Sequence, residues 1–246
     1  MMRFFIKLLF ILIISSSLFA QKKVIDERQT WLGVFNQVRL TDKWGIWGDF
    51  HFRMKDNFVG EPSIGIIRLG LTHYLADDVR LTAGYSFINH FPTDGHENIS
   101  QPEHRPWQQI QWFTRSEKLR LMQWIRLEER FRRKILNDDE LADGYNFNWR
   151  IRYNFALFLP LTKKKFAPGG LQFLLNDELH VNFGENITYN YFDQNRLFGG
   201  LVYQVTDHSQ IHLGYMNLFQ QLASGNNCKS IHTIRLFYFH NFDWRK

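Results

Sequence analysis

From about residue 30 onward, apolar and polar positions alternate along the chain. Read at every second residue, Leu119–Arg133 separates into two faces. Leu119, Leu121, Ile125, Leu127 and Phe131 lie on one; Arg120, Arg126, Glu128, Arg130 and Arg132 lie on the other. A period of two is that of a β-strand, whose successive side chains point to opposite faces. Leu, Met, Arg and Glu each favour a helix, so this stretch alone is ambiguous. Its neighbours decide the matter. Trp44–Lys55 sets Trp44, Ile46, Phe50, Phe52 and Met54 against Trp47, Asp49, His51, Arg53 and Lys55. Tyr145–Leu159 sets Phe147, Trp149, Ile151, Tyr153 and Phe155 against Asn148, Arg150, Arg152 and Asn154.

The same alternation predicts strands at Thr30–Leu40, Ser63–Leu75, Val79–Phe91, Arg105–Arg115, Leu171–Phe183, Phe192–Val205, Ser209–Leu222 and Ser230–Asp243. The tight turns Thr41–Lys43, Ala76–Asp78, Ser116–Lys118 and Thr206–His208 alternate with longer connections, among them Pro92–His104 and Lys134–Gly144. Turn residues of these kinds stop strands by supplying local hydrogen bonds. An all-β antiparallel transmembrane barrel of the outer-membrane type has this pattern: apolar residues facing lipid, polar residues facing the lumen, short turns at one end and long loops at the other. Eleven strands are read directly. Bacterial barrels usually have an even number, so about twelve are expected, the last from Gln21–Gln29. An odd barrel and a threaded N-terminal segment are the alternatives.

Composition narrows the class. The 246 residues include 24 Phe, 8 Trp and 9 Tyr, an aromatic share of 17 %. Mean hydropathy is −0.35, and past residue 20 no apolar run is long enough for a membrane helix. Met1–Ala20 reads as a secretory signal: Arg3 and Lys7, an apolar Leu8–Ile14, a polar Ser15–Ser17, and cleavage after Ala20. Residues 21–246 are then one barrel domain. Loss of Arg3 and Lys7 lowers the net charge from +6 to +4, too little to argue for nucleic acid. Cys228 is the single cysteine, which excludes an intramolecular disulfide. The expected location is the bacterial outer membrane. The expected partners are its lipid and lipopolysaccharide, the barrel-assembly machinery during biogenesis, and small anionic solutes, with no cofactor.

Three short motifs carry a family resemblance: Pro102–Gln109 (PEHRPWQQ), Arg126–Arg130 (RLEER) and Asp193–Arg196 (DQNR). With these in order, the chain from about Trp31 to its C-terminus resembles the uncharacterised outer-membrane β-barrel family known as domain of unknown function 2490. That resemblance implies an outer-membrane barrel. It implies no activity and brings no catalytic residues.

The strongest chemical feature is the inward charge. Alternation directs Arg53, Arg68, Arg126, Glu128, Arg130, Arg150, Arg152, Glu178, His180 and Arg196 to the lumen, with Asp49, His51, Arg80, His90, Arg105, Arg115, Arg132 and Arg235. Arginine forks grip carboxylates bidentately and stack on aromatic rings, so such a set can fill a small barrel as an ion-pair network. Arginines also outnumber acids, which suits a lumen that admits or binds anions. The favoured role is therefore a non-enzymatic small pore or binding barrel.

The runner-up is a lipid-modifying enzyme, a phospholipase or lipid A acyl hydrolase or transferase. Such chemistry needs a His activating a Ser on one strand face. His208 and Ser209 are adjacent, so in a strand their side chains would diverge, and no His-x-Ser occurs. Asp94, His96 and Ser100 share a loop, and His96, Glu97, Glu103 and His104 include ligand types without a metal-specifying spacing. Asp177 falls on the apolar face of its strand. A β-bulge would re-aim it inward; an outward functional carboxylate is the other reading.

Overall fold

The computed structural model describes residues 22–245, so the stretch 1–20, read above as a secretory signal, lies outside the described residues. The strands run β1 (Lys23–Arg39), β2 (Trp44–Met54), β3 (Pro62–Tyr74), β4 (Val79–His90), β5 (Gln101–Arg115), β6 (Arg120–Ile135), β7 (Leu141–Pro160), β8 (Leu171–Phe183), β9 (Phe192–Gln204), β10 (Ser209–Gln221) and β11 (Asn227–Asp243). Each pairs with its sequence neighbours, and β1 closes on β11 to complete a barrel. Closure leaves no sheet edge to template pairing with another chain.

The predicted twelfth strand does not form. Lys23–Gln29 instead extends β1, and its residues pair with Asn227–Thr233 of β11. With an odd number of alternating strands, the first and last run the same way, so this seam is parallel. It spans Lys23↔Asn227 to Arg39↔Asp243 without a break. The edge that a twelfth strand would have needed is occupied by the start of the first.

The chain is turned inside out relative to a soluble domain. Outward residues such as Ile67, Leu69, Leu71, Leu197 and Leu213 are exposed, while Arg150, Glu128 and Asp49 are buried. The interior also holds an apolar cluster around Trp31, Leu174, Phe198, Val202, Met216 and Phe237. Large interior rings need room. A Cβ at Gly84 would stand 2.2 Å from the Leu69 carbonyl oxygen and 2.6 Å from the Trp107 ring. Trp107, which is 1 % exposed, occupies that space.

One local departure from alternation matters for the interior. The ladder between β8 and β9 shifts register at His180/Val181, where Val181 pairs with Phe192 and His180 with Gln194. Asp193 is the extra residue of this bulge. Asp177, by contrast, keeps regular register against Phe155 and Leu197. No bulge re-aims it; its carboxylate accepts from Asn195 Nδ2 at 2.7 Å on the outer face. Its hydrogen-bonding need is met by a polar neighbour there.

Candidate functional site: the charged lumen

Glu128 of β6 stands opposite Arg150 of β7 in register. Arg150 donates from Nε to Glu128 Oε2 at 2.8 Å and from Nη1 to Asp193 Oδ2 at 2.8 Å. Arg152, two residues on and on the same face, bridges Glu128 Oε1 (2.5 Å) and Glu178. Arg105 and Arg126 lie 3.5 and 3.9 Å from the Glu128 carboxylate. Four guanidiniums therefore surround one carboxylate that is 1 % exposed. Such burial is tolerated because charge and hydrogen bonds are both supplied.

The network extends in both directions. Glu178 also faces Arg196 Nη1 at 3.3 Å. His180 Nε2 lies 3.1 Å from Glu178 but without the alignment of a hydrogen bond. Arg105 connects Glu128 to Glu103, donating from Nη2 to Glu103 Oε1 at 2.6 Å. Arg130 Nε (2.8 Å), Arg132 Nε (3.0 Å) and His90 Nε2 (3.0 Å) complete the shell of Glu103. Arg126 also donates twice to Gln109 Oε1 at 2.9 and 2.7 Å, with its guanidinium 4.3 Å from the Trp107 ring.

Of the arginines and acids that alternation directs inward, Arg126, Glu128, Arg130, Arg150, Arg152, Glu178 and Arg196 thus meet in one network, with His180 against it. Arg68 belongs to a separate group, donating from Nε to Asp49 Oδ1 at 2.8 Å and lying 2.7 Å from His51 Nε2 through Nη2. Arg53 joins neither. Its guanidinium lies 3.5 Å over the Trp31 ring.

Alternation alone missed Glu103 and Asp193. Glu103 stands in Pro92–His104, the polar stretch read as a loop, two residues before the predicted strand Arg105–Arg115. Pro102 and Pro106 in fact occupy β5 and share the outward parity of Gln108 and Ile110. The β5–β6 ladder skips Arg105 and Pro106, and a residue without an N–H fits such a gap. The available signal was Glu103's parity with Arg105, Gln109 and Gln111. Asp193 is one position out of phase with Gln194 and Arg196, and only the bulge brings it inside. Glu103 and His104 lie on opposite faces of β5, and His96 Nδ1 is engaged by the Ile99 carbonyl at 2.8 Å, so the possible metal set does not converge.

A cavity of about 1780 Å³ runs through the interior. Its lining reaches from Glu27, Lys55 and His96 at the long-loop end to Arg39, Asp77 and Arg245 at the short-turn end. At the short-turn rim the Arg39 guanidinium, 2.8 Å from Asp77, holds that carboxyl below the usual aspartate range by hydrogen bond and charge.

Fold and interior together define a closed all-β barrel with an apolar exterior and an arginine-rich lumen. The family model described as protein of unknown function, DUF2490, matches residues 28–229, and the chain belongs to that family. A solved structure titled "NanC porin structure in rhombohedral crystal form" is similar at 13 % identity with a TM-score of 0.43, covering 79 % of this chain and 84 % of that one. None of the curated proteins compared with the chain matches it.

Proposed function

We propose that this protein spans the bacterial outer membrane as a non-catalytic barrel whose lumen admits or holds small anions. The observation that carries the reading is the interior charge balance. Among the described residues guanidiniums outnumber the interior carboxylates Asp49, Glu103, Glu128, Glu178 and Asp193, and at least two of them, Arg53 and Arg235, lack an acidic partner within ion-pair distance. A confined space lined with one sign of charge raises the local concentration of the opposite ion. The ion pairs have a second role: they brace the walls across β4–β9, which keeps the lumen's shape without catalysis. The exterior band of exposed Leu, Ile, Phe and Tyr supports a lipid surround, with lipid and lipopolysaccharide as the contacts there and the barrel-assembly machinery as the route of insertion.

The test is the reversal potential of purified protein in a planar bilayer under a potassium chloride gradient. A current that reverses on the chloride side of zero is expected. Absence of current, or cation selectivity, would overturn the pore form of the reading.

A further inference from the structure

The interior is not charged evenly. On the wall formed by β11, β1 and β2, the inward residues between the rims are Ile231, Thr233, Arg235, Phe237 and Phe239 of β11; Trp31, Gly33, Phe35 and Gln37 of β1; and Trp47, Asp49, His51 and Arg53 of β2. The one acid among them, Asp49, is engaged by Arg68 and His51. Trp31 stands at the centre, in register with Arg53 on one side and Arg235 on the other. Strand spacing puts the Cα atoms of those two arginines about 10 Å apart.

Both arginines are short of partners. Among the described residues Arg53 makes no side-chain hydrogen bond or ion pair, and its Nε is buried without an acceptor. The charged groups that bear on it most are Arg196, Arg68, Arg105 and Arg152, all cations. Arg235 is 8 % exposed. It lies 3.5 Å over the Phe198 ring and 4.9 Å from Phe237. Among the described residues its one side-chain hydrogen bond is a 3.5 Å approach to Asn176 Oδ1 and its Nε has no acceptor; the acid that bears on it, Glu178, stands beyond ion-pair distance. The Nδ1 of His51 is a third orphan on the same wall. A buried guanidinium with no carboxylate in contact is costly, and both arginines line the cavity, where a ligand could supply that contact.

The surroundings say what kind of anion fits. Phe35 stacks on Phe239 with centroids 4.4 Å apart, lies 5.0 Å from Phe237, and meets His51 edge-on at 4.6 Å. His212 adds a ring 4.3 Å from Phe239. A small hydrated ion would leave this aromatic surface wet. A ligand with a flat apolar body would cover it, since rings favour offset and edge contacts with rings.

We propose that the β11–β1–β2 wall is a binding site for an aryl carboxylate, with the carboxylate facing Arg53 and Arg235 and the ring laid against Phe35, Phe237 and Phe239. This rests on the reading of the lumen as an anion-accepting space and names the class of anion it prefers. Arginine forks bind carboxylates bidentately, and the unpaired nitrogens here are free to do so.

Equilibrium titration of the purified full barrel in detergent, with empty micelles as the blank, tests it using 2-naphthoate, acetate and 2-naphthalenemethanol. Saturable naphthoate binding is expected, at least tenfold tighter than acetate or the neutral alcohol. Arg235→Gln and Arg53→Gln should each weaken it tenfold or more. Phe239→Ala should weaken naphthoate but leave acetate unchanged, and it covers the case in which an arginine variant fails to fold. Equal affinity for acetate would reduce the wall to a plain anion site and overturn the proposal. So would naphthoate binding unchanged in the folded variants, or equal affinity for the alcohol. Chloride current is read separately: naphthoate binding without current would defeat the pore and keep the site, while current without naphthoate preference would do the reverse.

Discussion

Glu128 and Arg150 are register partners on adjacent strands, and both are buried, at 1 % and 4 % exposure. Their pairing is the centre of a network that crosses β4 to β9, so a change at Glu128 acts on several guanidiniums at once. Removing one partner of a buried pair costs about 3–5 kcal/mol, because the remaining charges stay buried without compensation. Glu128→Ala is expected to lose stability of that order in urea unfolding of the detergent-folded barrel. Arg196→Gln should cost roughly 1–2 kcal/mol, because Glu178 keeps Arg152. Equal losses would mean that the network is not centred on Glu128.

Gly84 makes room for Trp107. A methyl group there would stand 2.2 Å from the Leu69 carbonyl oxygen, which belongs to the backbone and cannot swing aside. Gly84→Ala should therefore cost about 1–3 kcal/mol through overpacking. Heat-modifiable gel mobility should show a lower unfolding temperature, and an unchanged one would show that the sheet relaxes freely at this point.

The parallel seam makes a topological prediction. Lys22 precedes β1 at the same end as the 136–140 loop, while the 205–208 turn is at the other end. In a Cys228→Ser background, cysteines placed at Lys22 and Asp139 should both react with an impermeant maleimide on intact cells, and one placed at Asp207 should not. Protection at Lys22 with labelling at Asp139 would restore a twelfth strand and defeat the parallel closure.

The Arg39–Asp77 contact joins the β1–β2 turn to the β3–β4 turn. Because Arg39 lowers the Asp77 pKa in the folded state, the contact's contribution is full above the ordinary aspartate range, near about pH 4, and is lost as pH falls through the lowered value. Asp77 is exposed, so the effect is small. Asp77→Asn should slightly flatten the loss of stability between neutral and acid pH. A steeper acid loss in the variant would show that the sign is wrong.

Much of this protein is written in its alternation. Eleven segments with apolar and polar faces specify eleven strands, because the side-chain period of a strand is two and a lipid-facing wall tolerates few errors of phase. The inward positions of Arg53, Arg68, Arg126, Glu128, Arg130, Arg150, Arg152, Glu178, His180 and Arg196 follow from the same parity. Alternation says which face a residue takes. It does not say which residues meet across the lumen, because that depends on register and closure. The tertiary structure decided that Lys23–Gln29 pairs with β11 rather than forming a strand of its own, since pairing partners over two hundred residues apart leave no local mark. A bulge, which shifts parity by one, brought Asp193 to Arg150. Closure also set Arg53 and Arg235 on either side of Trp31 with no acid among the described residues in ion-pair contact with them: each sits in an ordinary alternating strand, and only when β1 joins β11 do the two charges share a wall.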